Sequence, residues 1–286
     1  MTFWLVLTVN SVTFGGLLFL LSAGFSLIFG LMRIPNLAHG SFFMLGAYVG
    51  YTAVHLTGSF WAALVCAPIA VGLFGAAFEL AILRRLYRSD GSAFLLVTFG
   101  LTLVMGELIR LTWGVAALEV PAPQSLSGII FILDEPFPLY RLFLIGAGIV
   151  VAIGMWQFLE RTRLGLLIRA TSQNAEMVHA LGTDVRLVRS AVFGIGCGLA
   201  GIGGVFAAPL VTASLGMAPN AVIDTFVIVI IGGMGSFLGS LIGALLVAFV
   251  QVFGTYYFPD LALALMYLIM LTVLVVRPGG LLGKEA

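Results

Sequence analysis

Long uninterrupted apolar runs, separated by short polar breaks, dominate this sequence. They fall at about 4–31, 40–56, 60–83, 93–112, 139–159 and 188–212, then over a broken region at 222–257, and finally at 260–276. Each is close to the ~20 residues that a helix needs to cross a bilayer core. None shows the ~10-residue alternation of a transmembrane β-barrel. The pattern predicts an all-α fold, a polytopic membrane helical bundle of about eight or nine transmembrane segments. It reads as a single transmembrane domain over 1–286. Discontinuous helices are expected near 33–41 and 231–239, where proline or glycine interrupts the apolar runs.

Composition sharpens this. The chain is 61% hydrophobic and 9% charged, against about 25% charged in soluble domains, so membrane lipid is its main solvent. The net charge of +1 gives no footprint for a nucleic-acid partner. Cys66 and Cys197 lie in apolar runs and are expected to be buried small hydrophobes, with no disulfide and no metal site. The first apolar stretch lacks a basic leader and a small-residue cleavage site, so it reads as a retained helix.

The few charges are unevenly placed. Between Glu160 and Arg189 stand Arg161, Arg163, Arg169, Arg186 and Arg189, with Glu176, Asp184 and His179. Arg33, Arg84, Arg85, Arg88, Arg277 and Lys284 flank other spans, leaving Arg110 and Arg141 for the opposite side. The positive-inside rule makes the larger set cytoplasmic, including a loop at 160–187. The segment 113–138 is then an outer loop, rich in proline (Pro121, Pro123, Pro136, Pro138) and bearing Glu119, Asp134 and Glu135. Within 222–257, a C-terminus on the arginine side requires a hairpin turning at Gly232–Ser236 rather than one interrupted span.

Three places carry candidate chemistry. Asn36, His39, Gly40 and Ser41 are polar or small groups beside apolar helices, next to Pro35. They suit a break lining a translocation pathway, or an interfacial loop that caps helices. No second His, Cys or acid stands at metal-ligand spacing from His39. Gly232, Gly233, Gly235 and Ser236 suit a second pathway break, or close helix packing that continues through Gly239 and Gly243. The two breaks echo each other as His39-Gly40-Ser41-Phe42 and Met234-Gly235-Ser236-Phe237. In the charged loop, Ser172 can cap a short helix over Gln173–Leu181, ended by Gly182, with an Asn174–Met177–Val178–Leu181 stripe. Glu107 and Arg110 read as an i,i+3 ion pair, and Asp224 and Asp260 as acids at helix starts.

The run Gly24–Arg33, the run Asn36–Tyr48, Arg163-Leu164-Gly165, Arg169-Ala170, Asn174-Ala175, Ala180-Leu181-Gly182, Ile231–Ser236 and the final Arg277-Pro278 with Gly280-Leu281 together resemble one family. It is that of the inner-membrane permeases of branched-chain amino acid ABC importers, of the LivH type. The resemblance runs through nearly the whole chain. It implies a multi-pass subunit in a bacterial inner membrane, paired with a second, LivM-like permease. Two ABC ATPases would drive it, with ATP and magnesium bound on those subunits, and a periplasmic binding protein would deliver substrate. Arg163, Gly165, Arg169, Ala170, Asn174, Ala175 and Gly182, with Met177 and Leu181 of the stripe, would then form the ATPase-coupling loop. Related permeases carry urea, short amides, aromatic acids or other amino acids, so the substrate stays open.

The chain has no G-x-x-x-x-G-K-[ST] motif, and its one lysine, Lys284, precedes Glu285, so the expectation is a transport subunit without its own ATPase and not an enzyme. Two other classes compete. An ion-coupled secondary transporter needs buried carboxylates, and Glu79 and Glu107 sit near span ends. An intramembrane enzyme would need a residue that orients His39 toward Ser41, and none is evident.

Overall fold

The structure is a computed structural model and describes every residue except Met1, Arg33, Ile34, 88–90, 133–134 and 284–286. Arg33, Arg88, Asp134 and Lys284, used above for topology, lie outside the described residues.

The apolar runs form helices because only internal hydrogen bonding satisfies backbone groups in lipid. In chain order they are α1 (Thr2–Met32), α2 (His39–Thr57), α3 (Phe60–Phe78), α4 (Arg84–Leu86), α5 (Gly91–Trp113), α6 (Leu139–Arg161), α7 (Arg163–Gln173), α8 (Ala175–Ala180), α9 (Val185–Val211), α10 (Met217–Gly232), α11 (Phe237–Tyr257) and α12 (Ala262–Val276). Among the described residues, seven helical stretches are long and apolar enough to cross a membrane, and Met217–Gly232 is a shorter apolar helix. Helices α1 and α9 are central and largely covered by protein, whereas α6 and α12 keep most of their surface outward. Cys197 is buried on α9, but Cys66 is exposed on α3, contrary to expectation. Which face of an apolar helix turns to lipid is a packing outcome that composition does not encode.

Helix α1 supplies a depth scale. Near one end Asn10 Oδ1 accepts a 2.5 Å hydrogen bond from Arg141. Near the other, Gly30 packs on Gly235. At ~1.5 Å per residue the helix between them runs about 30 Å, the thickness of a bilayer core. Arg169 lines a recess together with Gly30 and Gly235. The tail after Arg277 returns to the same place, Leu281 N donating to Ile231 O (2.8 Å) and Leu282 N to Gly232 O (3.0 Å). The arginine-rich loop, the glycine turn and the C-terminal tail therefore share the end expected to be cytoplasmic.

The 222–257 region is a hairpin. Helix α10 ends at Gly232, Gly233 adopts φ +104°, and Ser236 Oγ caps α11 by accepting from Gly239 N at 3.0 Å. The outer loop is more ordered than its prolines suggest. It holds an antiparallel pair, β1 (Ile129–Ile132) with β2 (Glu135–Pro138), in register Ile130↔Phe137. Leu118 also bridges Ala213, which ties this loop to the connection between α9 and α10.

One buried polar knot lies near the arginine-rich end. Helix α3 passes through a π-turn, Glu79–Leu83, into α4. The turn carries Glu79 into the protein, where its carboxylate accepts from Tyr87 Oη (2.5 Å) and from Ser190 Oγ on α9. The Arg189 guanidinium lies 4.8 Å over the Tyr87 ring. Burial, then the bond to Glu79, push the Tyr87 hydroxyl far above its ordinary range, so it stays a proton donor. Hydrogen bonds to a charged group are worth about 1.5–3 kcal/mol. Glu79→Ala removes both bonds, leaving Ser190 Oγ only the Arg186 carbonyl, and is expected to lower stability by roughly 2–3 kcal/mol, read as a lower unfolding midpoint in detergent. Tyr87→Phe should cost about half as much.

Candidate functional site

The first break lies deep in the protein. His39 opens α2, and its ring Nε2 donates to the Leu21 carbonyl at 2.9 Å. Leu21 is near the midpoint of the depth scale, so α2 starts about 16 Å back from the end of α1. The turn before it is pinned on both sides. Ala38 N donates to Asn36 Oδ1 (3.0 Å), Leu37 N to Thr98 Oγ1 (3.3 Å), and Thr102 Oγ1 to Leu37 O (3.2 Å). Asn36, His39 and Ser41 are almost fully buried. Asn36 Nδ2, His39 Nδ1, Ser41 Oγ and nearby Ser26 Oγ have no partner among the described residues. Irregular backbone at this depth survives only inside protein or beside a water-filled space.

The other predicted break does not join it. Gly232, Gly233, Gly235 and Ser236 sit at the arginine-rich end, against Gly30 and the tail glycines Gly279 and Gly283. The spatial partner of the first break is the start of α10, which follows the short connection 212–216 after α9. Thr212 there has φ +57° and ψ +149°, a conformation that costs a non-glycine residue about 1–3 kcal/mol. Helix α10 begins directly after it, and its first turn meets the first turn of α2. A Cβ on Gly40 would stand 2.2 Å from Ala218 O. The echo of Gly40-Ser41 in Gly235-Ser236 is therefore one of local helix-start chemistry and not of depth.

Beside this meeting of helix ends lies a cavity of about 250 Å³. Its walls include Leu17, Leu18 and Leu21 of α1, Phe43 of α2 and Val211 of α9. The polar contributions come from Ser214, Asn220 and Asp224. A second recess of about 430 Å³ shares Phe14, Leu17 and Val211 with it and leads toward Asn10, Arg141 and Gln251. Asp224 was expected at a helix start, but it is the eighth residue of α10 and lies well inside. Pro219 was the missed signal. Proline favours the first helical turn, which sets the start near Met217 and Asp224 two turns in.

The charged loop also differs in detail from expectation. One helix over Gln173–Leu181 was anticipated, but two are present. Thr162 Oγ1 caps α7 by accepting from Gly165 N (3.0 Å), and Asn174 Oδ1 caps α8 by accepting from Met177 N (2.9 Å). Ser172 lies in the last turn of α7, its Oγ donating to Arg169 O (2.8 Å), and so is no cap. Extended backbone at Asn174, φ −150° and ψ 93°, separates the helices. Gly182, at φ +87°, ends α8. Arg169 pairs with Glu160 and faces the recess below Ser236. Ala170 and Ala175 are partly covered, Arg163 and Asn174 are exposed, and Gly165 makes the tight turn against Leu159 O. Of the apolar stripe, Val178 is buried, whereas Met177 and Leu181 are 57% and 78% exposed. Glu107 and Arg110 form the expected i,i+3 pair.

Residues 7–274 match the family model described as branched-chain amino acid transport system / permease component. The chain is 24% identical to the high-affinity branched-chain amino acid transport system permease protein BraD of Pseudomonas aeruginosa, over 96% of this chain and 94% of the relative. It is 23% identical to LivH of Escherichia coli K12, over 96% and 94%. It is 24% identical to a probable LivH of Methanocaldococcus jannaschii, over 96% and 91%. No solved structure matches. A buried helical core, broken helices that meet at mid-depth around a cavity, and a match over nearly the whole length converge on one assignment: this multi-pass membrane protein belongs to the family of branched-chain amino acid transport permease components.

Proposed function

We propose that this chain is the LivH-like half of an ABC importer in a bacterial inner membrane, moving branched-chain amino acids by ATP-driven alternating access. A second, LivM-like permease completes the pathway, two ATPases bind ATP and magnesium, and a periplasmic protein delivers substrate to the outer loop. The observation that carries the reading is the exposed pair Met177, on α8, and Leu181, at its C-terminal cap. A helix of one and a half turns is marginal alone, yet Asn174 and Gly182 hold this one in place with two large apolar side chains facing outward on the arginine-rich side. Such a patch fits a groove on another protein. Motion entering there passes through α7 and the Arg169–Glu160 pair to the glycine turn and α1.

Met177→Glu with Leu181→Glu is expected to stop co-purification of the ATPases and reduce ATP-driven uptake of tritiated L-leucine into proteoliposomes by more than 10-fold. Membrane insertion and unfolding midpoint should stay unchanged, because neither side chain is buried. Normal co-purification would refute the docking assignment. Uptake by the wild type that follows an ion gradient without ATP would replace the ABC mechanism with secondary transport. Proline at Ala175 is a poor probe, since it falls at the first position of α8, where proline is tolerated.

A further inference from the structure

We propose that the mid-depth cavity between α1, α2, α9 and α10 is a binding site for a zwitterionic aliphatic amino acid, with Asp224 receiving its ammonium group. The proposal rests on the permease reading and adds the site and the ligand chemistry. Asp224 lines the cavity, is partly covered, and has no hydrogen bond or ion pair among the described residues. An ionisable side chain at this depth is costly and marks a pathway or a partner. With no internal partner among the described residues, its complement is brought by the ligand.

The surroundings define that ligand. Asn220 is one turn before Asp224 on the same face of α10, with Cβ atoms about 5–6 Å apart. Its amide and the Ser214 hydroxyl, both lining the cavity, are donors for a carboxylate. An α-amino acid carries its ammonium and carboxylate on one carbon, and a hydrogen bond of about 2.8 Å at each end lets one molecule bridge the Asp224 and Asn220 side chains. The opposite wall, Leu17, Leu18, Leu21, Phe43 and Val211, offers only apolar surface and receives a side chain without polar atoms. Leu21 is also the residue whose carbonyl holds His39. The cavity wall is thus fixed to the α2 break, and closure around a ligand would be felt at both discontinuous helices. Urea and short amides have no ammonium to satisfy Asp224. Aromatic acids without an amino group bring only a negative charge to a site that already holds one. The geometry therefore selects among the solutes that the sequence leaves open.

The test uses the assembled transporter in nanodiscs, labelled with photo-leucine and mapped by mass spectrometry. Adducts are expected on the α1 and α9 walls around Leu17 and Val211, displaced by L-leucine but not by 4-methylpentanoate, which lacks the amino group. Asp224→Asn should reduce this labelling at least 10-fold and abolish the discrimination between the two competitors. Adducts confined elsewhere, or discrimination intact in Asp224→Asn, would overturn the site. If Asp224→Asn fails to assemble, Asn220→Ala, at an exposed position, provides the variant arm and should weaken competition by L-leucine at least 5-fold. Unchanged competition there would also overturn the proposal. Uptake of tritiated L-leucine by the wild type is measured in parallel. Uptake without cavity adducts defeats the site alone, whereas ATP-dependent uptake of another solute instead of leucine defeats the functional reading.

Discussion

Gly46→Val is expected to remove the folded protein from the membrane. Helices α2 and α9 cross where a Cβ on Gly46 would stand 2.4 Å from Gly201 O and 2.5 Å from Gly201 Cα. Both contacts are backbone, so no rotamer change relieves them. Overpacking a core that can adjust costs about 1–3 kcal/mol. Here relief requires parting the helices along a crossing that also includes Gly204 against Phe43 O and Gly50 against Val205. Small residues at such crossings let membrane helices approach, and separating these two would dismantle both the α2 break and the Phe43 wall of the cavity. Monodisperse protein recovered in detergent should fall below about one tenth of wild type. Gly100→Val is the matched control. A Cβ there meets nothing within 4 Å, and yield should be unchanged. Equal yields for the two variants would show that the crossing is not held by close approach.

Gly233→Ala should cost nearly as much in transport while sparing insertion. Its backbone lies at φ +104°, and a Cβ would stand 2.3 Å from Gly283 N and 3.0 Å from Gly279 O. Two penalties are combined. The backbone conformation alone disfavours an L-residue by roughly 1–2 kcal/mol. The steric conflict expels the tail, whose Leu281 and Leu282 amides bond to Ile231 and Gly232. A chain ending at Pro278 lacks the tail and therefore the conflict. A double-mutant cycle between Gly233→Ala and this truncation should show a coupling of at least about 1 kcal/mol in unfolding free energy. ATP-driven uptake by the full-length Gly233→Ala variant should fall about 10-fold. Additive effects, or wild-type uptake, would mean that the tail does not brace the hairpin turn. Coupling would instead assign the glycines at 232–235 to transmission at the loop end of the molecule, apart from the mid-depth site.

Several features were legible before any coordinates. A long apolar run in lipid has one economical way to satisfy its own amides and carbonyls, so its helicity follows from composition. Arginine placement predicts which ends lie together, and Gly30, Arg169, Gly235 and the tail after Arg277 do meet at one end. The run Ile231–Ser236 could not continue a helix and became the hairpin turn. Cap chemistry was legible as a type but not by position. Ser172 and Asn174 are equally good caps by propensity, and Asn174 prevails because α7, started by Thr162 and folded back on Leu159, extends through Ser172 before the chain turns.

What the tertiary structure alone decided is which break faces which, and therefore where the cavity lies. The pairing of the Asn36–Ser41 break with the start of α10 depends on α2 and α10 being pressed together at Gly40 and Ala218, by contacts that α1 and α9 make far along the chain. Asp224 likewise looks like any acid near a span until α10 is seen to begin at Met217, two turns earlier. Local sequence determines that a helix must stop and start, through proline, glycine and the loss of an amide donor. The depth at which it restarts is a distance between elements remote in sequence. That distance is set by how closely their backbones pack, and no single segment carries the information.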